Sequence, residues 1–139
     1  MSECYPGVMK NVEVVGAAIM KNGKLFIAQR PDKGEVGLKW EFPGGKIEPG
    51  ETPEQAIHRE IEEELETEIE VEKLIVTVKH QYLSFHLTMH VFLCHLNGQD
   101  PVLEEHVDCR WINADQLYDY DWAPADFKIL PQIKEACFE

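Results

Sequence analysis

Positive charge is scarce in this chain: 13 lysines and arginines stand against 26 aspartates and glutamates in 139 residues, a formal net charge of −13. No basic stretch offsets the excess, which argues against a nucleic-acid backbone as partner. Long apolar runs are missing too, so no segment reads as a membrane span. The opening residues, MSECYPGVMK, lack the apolar core of a secretory leader, and the expected location is the cytoplasm. Cysteine is sparse. Cys4, Cys94, Cys109 and Cys137 are widely separated and include no CxxC pair, so they read as reduced, packed thiols with no nucleophile among them. Repeats and linkers are likewise absent. With 44% hydrophobic and 28% charged residues, the sequence reads as one globular domain over residues 1–139, long enough for a core of its own.

What the chain does have is one dense stretch, Gly44 to Leu65, reading GGKIEPGETPEQAIHREIEEEL. Residues 44 to 66 hold eight acids and two bases, about half of the excess negative charge. Thr52, Pro53 and Gln55 form a helix start: the threonine caps free amides, the glutamine closes the capping box, and proline suits the first helical position. From Pro53 onward, Ile57, Ile61 and Leu65 fall along one helical stripe, and Glu60, Glu63 and Glu64 share the neighbouring face. The acids of this helix make four like-charge pairs at i,i+3 or i,i+4 spacing, costing it roughly 1 to 2 kcal/mol. Arg59 offsets part of that through Glu62 and Glu63. The remainder asks for a cation, and oxygen-only ligands suit a hard ion such as magnesium, which keeps waters and accepts phosphate oxygens. The plain alternative is a solvated acidic face. Gly44 and Gly45 let the backbone approach a ligand closely, and Glu51, just before the cap, favours the helix dipole and is placed to tie loop to helix.

On these residues the stretch resembles the Nudix box, with Gly45, Glu51, Arg59, Glu60, Ile61, Glu63 and Glu64 at the pattern's places. Two places depart from it: Glu66 stands for the glycine that ordinarily ends the helix, and Thr67 for an aliphatic residue. The resemblance implies an α/β Nudix fold, a mixed β-sheet sandwiched between α-helices. It also implies magnesium, or manganese in its place, held by Glu60, Glu63, Glu64, a further acid and the backbone carbonyl of Gly44. In MutT-like members that further acid is a glutamate six residues before a tryptophan, the spacing of Glu105 to Trp111; as residues alone, Glu104 and Glu105 are ordinary loop acids. The MutT-like branch also has an arginine contacting the nucleotide at the place of Arg30, otherwise a surface arginine. Arg30, Glu41, Phe42, Gly44 and Asp126 are the substrate-binding candidates.

The segment Trp122-Ala123-Pro124-Ala125-Asp126 resembles the end of the base pocket in MutT-like enzymes, above all the CTP pyrophosphohydrolase and 8-oxo-dGTP diphosphatase subgroup. Where MutT has asparagine, this chain has Asp126. An ionised aspartate only accepts hydrogen bonds, which suits the exocyclic amine of cytosine or an oxidised base whose edge has become a donor. Asp126 also serves as a helix N-cap.

Elsewhere, 12–20 reads as a buried strand turning at Asn22-Gly23 into 24–30, and 31–39 as a loop leading to a short strand at 40–42. Strands follow at 69–78, 85–96 and 109–112, then a short helix over 114–120 capped by Asn113, and a helix over 126–138 kinked by Pro131. His86 and His90 lie four residues apart in a strand, roughly 13 Å, too far to share an ion, and should line a packed or pocket-facing side.

The activity this implies is cleavage of a nucleoside triphosphate, cytosine-containing or oxidised, to monophosphate and pyrophosphate in the upkeep of the nucleotide pool, with Glu60, Glu63, Glu64 and Glu105 as catalytic acids and Glu60 or Glu105 orienting the water. The protein would act as monomer or homodimer. Alternatives are a Nudix hydrolase of ADP-ribose or a dinucleoside polyphosphate, a non-catalytic nucleotide sensor, and an acidic interaction helix.

Overall fold

The β-branched run expected over 12–20 forms the centre of β1, Lys10–Lys21, in the computed structural model, which describes residues 10–139. Cys4 and the opening segment lie outside the described residues. Asn22 and Gly23, with φ of 52° and 77°, make the tight turn that sends the chain back antiparallel as β2, Lys24–Gln29. Then come β3, Trp40–Glu41; β4, Gly44–Lys46; helix α1, Pro53–Leu65; β5, Ile69–Gln81; β6, Phe85–Leu96; and β7, Asp108–Ile112. The sheet runs β3-β2-β1-β6-β5, with β4 pairing β1 and β7 pairing β2. It is mixed, because β1 and β6 are parallel while the other ladders are antiparallel.

Side chains alternate across the sheet and give it two apolar faces. Val15, Ala17, Ile19, Phe26 and Ala28 pack with α1, whereas Ala18, Met20, Leu25 and Ile27 pack with the C-terminal helices. Ala56, Ile57, Ile61 and Leu65 are the buried stripe of α1. Burying Ile57, Ile61 and Leu65 contributes about 1.5 to 3 kcal/mol each, so packing outweighs the mutual repulsion of the glutamates.

The capping box is formed as the sequence predicts: Gln55 N–H donates to Thr52 Oγ1 at 3.1 Å and Thr52 N–H to Gln55 Oε1 at 2.9 Å. At the other end Glu66 adopts the left-handed conformation, φ 52° and ψ 38°, and its N–H bonds the Glu62 carbonyl. The chain thus leaves the helix as a glycine would, but with a side chain.

Three expectations change. The glycine pair forms a strand, β4, which three residues and two glycines do not announce. The segment Ala114–Asp119 is a 3-10 helix. The single helix over 126–138 is two, α2 at Pro124–Phe127 and α3 at Leu130–Phe138. Pro131 falls in the first turn of α3, where a missing N–H costs nothing, and so begins a helix instead of kinking one. Among the described residues no helix is long and apolar enough to cross a membrane.

Candidate active site

Arg59 assembles the acidic end of the site. From α1 its Nε donates to Glu51 Oε2 at 2.6 Å and Nη2 to Glu51 Oε1 at 2.9 Å, a bidentate clamp on the loop before the helix. Nη2 also reaches the Lys46 carbonyl at 3.0 Å, and Nη1 reaches Glu60 Oε2 at 3.0 Å and Glu63 Oε1 at 3.1 Å. One guanidinium therefore joins β4, the loop and the helix. The hydrogen bond to Arg59 pushes Glu51 down to about 2. Glu62, expected to pair with Arg59, is exposed and does not; Glu51 and Glu60 take that role.

The glycines let the strand lie against this helix. A Cβ at Gly44 would run into the Val15 carbonyl, and one at Gly45 into the Glu60 carboxylate. Gly44, Gly45, Glu60, Glu64 and Glu105 line one cavity of about 520 Å³, in the size range of small-ligand sites. Within it, Glu64 Oε1 is buried and has no hydrogen-bond partner among the described residues. Burial first, then the charges of Glu41, Glu60 and Glu105, push Glu64 up to about 8. Glu60 is also raised, chiefly by burial, against the pull of Arg59. Buried carboxylates with an orphaned oxygen and no nitrogen or sulfur donor fit a hard divalent cation. Among the described residues no three acidic, histidine or cysteine side chains are drawn into a closed cage. Arg59 holds both Glu60 and Glu63. Glu63, its side chain 61% exposed, does not line the cavity and stands apart from the other predicted acids.

The substrate-binding candidates line the same cavity: Arg30, Glu41, Phe42, Gly44 and Asp126. Arg30 Nη1 donates to Glu41 Oε1 at 3.0 Å. Asp126 is 4% exposed, and its Oδ1 accepts from the Phe42 N–H at 3.1 Å. It is not an N-cap: Ala123 holds that position and Asp126 lies inside α2. Burial, and then the charge of Glu41, hold its carboxyl well above the usual range. While it keeps its proton the acid both donates and accepts, as asparagine does; once ionised it only accepts.

Sequence reasoning missed the apolar wall. Tyr82, Phe85, Leu87 and Met89 line the cavity, and the Tyr82 hydroxyl accepts from the Ala125 N–H at 3.1 Å. Alternation along β6 held the signal, since Phe85, Leu87 and Met89 face the cavity and His86 and His90 lie between them on the other side. His90 sits between Glu13 Oε2 at 2.7 Å and Thr77 Oγ1 at 2.9 Å, away from the site. Phe42 and Trp122, 5.0 Å apart between ring centroids, back the end that holds Asp126.

Known proteins resemble the chain over most of its length. The NUDIX domain family matches residues 14–132. The chain is 36% identical over 124 residues to a CTP pyrophosphohydrolase of Escherichia coli, covering 88% of this chain and 90% of that protein. It is 41% identical over 95 residues to an 8-oxo-dGTP diphosphatase of Proteus vulgaris, covering 68% and 84%. The crystal structure of a MutT NUDIX hydrolase from Burkholderia pseudomallei superposes with a TM-score of 0.79 at 30% identity, covering 88% of this chain and 98% of that one.

Proposed function

Since this chain belongs to the Nudix family and is a hydrolase of that family, we propose that it splits a nucleoside triphosphate, with water, into nucleoside monophosphate and pyrophosphate. The observation that carries the reading is a single cavity in which an acidic cluster around Glu64 adjoins an aromatic and apolar wall ending at Asp126. The first suits a cation and a polyphosphate; the second suits a base.

In this reading Glu60, Glu64, Glu105 and the Gly44 backbone hold magnesium, with Glu63 completing the set from the rim, and manganese serves in its place. The bound ion would supply charge neutralisation on the phosphates and a more acidic water. Glu60 or Glu105 would orient the attacking water and take its proton as the water adds to phosphorus and pyrophosphate leaves. Arg59 holds Glu60 and the loop in place, and Gly45 admits the Glu60 carboxylate beside β4. Arg30 neutralises charge on the nucleotide, and Phe42 and Asp126 seat the base, which Asp126 meets as an acceptor and, while protonated, also as a donor. Catalysis of this kind rests on positioning and electrostatics and needs no covalent nucleophile. The relatives act on CTP and on 8-oxo-dGTP, and Asp126 is compatible with either base. The proposal includes a single domain, acting as monomer or homodimer without nucleic acid, in the upkeep of the nucleotide pool.

The test is pyrophosphate release with magnesium from CTP, dCTP, 5-methyl-dCTP, dGTP, 8-oxo-dGTP and ADP-ribose. Release from the triphosphates with little from ADP-ribose is the expected pattern. Cleavage of ADP-ribose alone, or of nothing, would set the proposal aside.

A further inference from the structure

Three separate segments bring Arg30, Glu41 and His106 into one chain of hydrogen bonds. Arg30 follows β2, Glu41 ends β3, and His106 lies in the loop before β7. Glu41 accepts at both oxygens: Oε1 from Arg30 Nη1 at 3.0 Å, and Oε2 from His106 Nε2 at 2.9 Å. A carboxylate offers no donor, so the imidazole carries its hydrogen on Nε2.

Burial deepens along this chain. Side-chain exposure falls from 34% at Arg30 to 18% at Glu41 and 3% at His106. Arg30 and Glu41 line the main cavity and His106 does not. His106 lines a smaller cavity of about 270 Å³ that shares Arg30, Glu41, Glu64 and Glu105 with the first. The histidine stands behind the substrate-facing layer.

Glu41 is shared by two donors from separate segments. Arg30, long and a third exposed, loses considerable rotamer freedom when it is held. A single bond between two movable side chains fixes neither; a second bond from a buried ring fixes the carboxylate and, through it, the guanidinium. Among the described residues the buried Arg30 Nε has no hydrogen-bond partner, so Nη1 to Glu41 is the bond that fixes the guanidinium here.

We propose that His106 is a positioning residue: by donating from Nε2 to Glu41 Oε2, it orients the carboxylate that holds the Arg30 guanidinium toward the nucleotide. The inference rests on the reading of Arg30 as a substrate contact given above. His106 touches no substrate and takes no part in proton transfer, so its loss acts on binding.

Steady-state pyrophosphate release with CTP and saturating magnesium tests this in His106→Ala, His106→Gln, Arg30→Ala and the double variant Arg30→Ala/His106→Ala. His106→Ala should raise KM about tenfold, the scale of one charge-assisted hydrogen bond, with kcat within about twofold. His106→Gln keeps a donor near the position of Nε2 and should recover KM to within about threefold of wild type. With Arg30 already removed, losing His106 should raise KM by less than about twofold. Should His106→Ala fail to fold, His106→Phe keeps a ring without the donor and takes its place in the same cycle. An equal penalty in the Arg30→Ala background, a fall in kcat at constant KM, or a glutamine variant as impaired as alanine would each overturn the inference. Wild type that turns over no nucleotide would overturn the functional reading and this inference with it, whereas wild-type turnover with an unmoved KM in His106→Ala overturns this inference alone.

Discussion

Replacing Glu64 by glutamine removes one charge and keeps the shape of the side chain, so it isolates the electrostatic strain of the acidic cluster. In the folded protein Glu64 titrates at about 8 against an ordinary 4.5, with burial as the leading cause. Below the ordinary value the carboxyl is protonated in both states and the substitution should be nearly neutral. Between 4.5 and about 8 the unfolded chain ionises while the folded one keeps its proton, and stability falls as pH rises through that window. At about 1.4 kcal/mol per pH unit, the full window sets a ceiling of about 5 kcal/mol. Solvent reaching the cavity and rearrangement of Glu41, Glu60 and Glu105 relieve part of this, leaving a gain of about 2 to 4 kcal/mol for the variant at pH 8.5. Urea denaturation of both proteins in a chelator, at pH 4.5 and pH 8.5, measures it. Saturating magnesium should reverse the order, stabilising wild type by mass action and the variant far less. Equal stability of the two proteins at pH 8.5 in the chelator would refute the reasoning, because the cluster would then carry no strain for a cation to relieve.

Three further substitutions probe the frame around that cluster. Glu66→Gly places the residue suited to φ 52° at the end of α1 and removes a charge repelled by Glu62 and Glu63; thermal unfolding should show a gain of about 1 kcal/mol, and no gain would mean the left-handed exit carries no strain. Gly45→Ala sets a methyl against the Glu60 carboxylate, and should cost roughly 1 to 3 kcal/mol in denaturation and at least tenfold in turnover. Asp126→Asn keeps an acceptor for the Phe42 N–H and cannot ionise. Since the raised pKa of Asp126 makes it a donor only while protonated, KM for CTP should climb at high pH in wild type and stay level in the asparagine variant; parallel KM profiles would show that Asp126 does not change charge in the assayed range.

Legibility from sequence followed the range over which each element is determined. The start of helix α1 was readable to the residue because its cap, stripe and acids are all local, and Thr52, Gln55, Ile57, Ile61 and Leu65 behave as their spacing predicts. Strands β1 and β6 were readable from β-branched content, though β1 is longer than expected because pairing with β6 carries it to Lys10. Strand β4 was hidden, since what makes Gly44 and Gly45 a strand is β1 lying beside them. The acids separated in a similar way. Glu60, Glu64 and Glu105 share a cavity across a long gap in sequence, while Glu63, one residue from Glu64, turns outward to Arg59. His106 was invisible for a physical reason: its partner Glu41 is 65 residues away, and nothing local distinguishes a buried hydrogen-bonding histidine from a loop histidine. The upward shift of Asp126 was also out of reach, because it depends on burial and on Glu41.

The most direct test of the whole account is phosphorus NMR of CTP and of 8-oxo-dGTP incubated with wild type and with Glu64→Gln across a magnesium titration. The account predicts that wild type gives nucleoside monophosphate and pyrophosphate, strictly dependent on magnesium, and that the variant falls by at least a hundredfold at every magnesium concentration. Inorganic phosphate and nucleoside diphosphate as products, or equal rates in the two proteins, would contradict it.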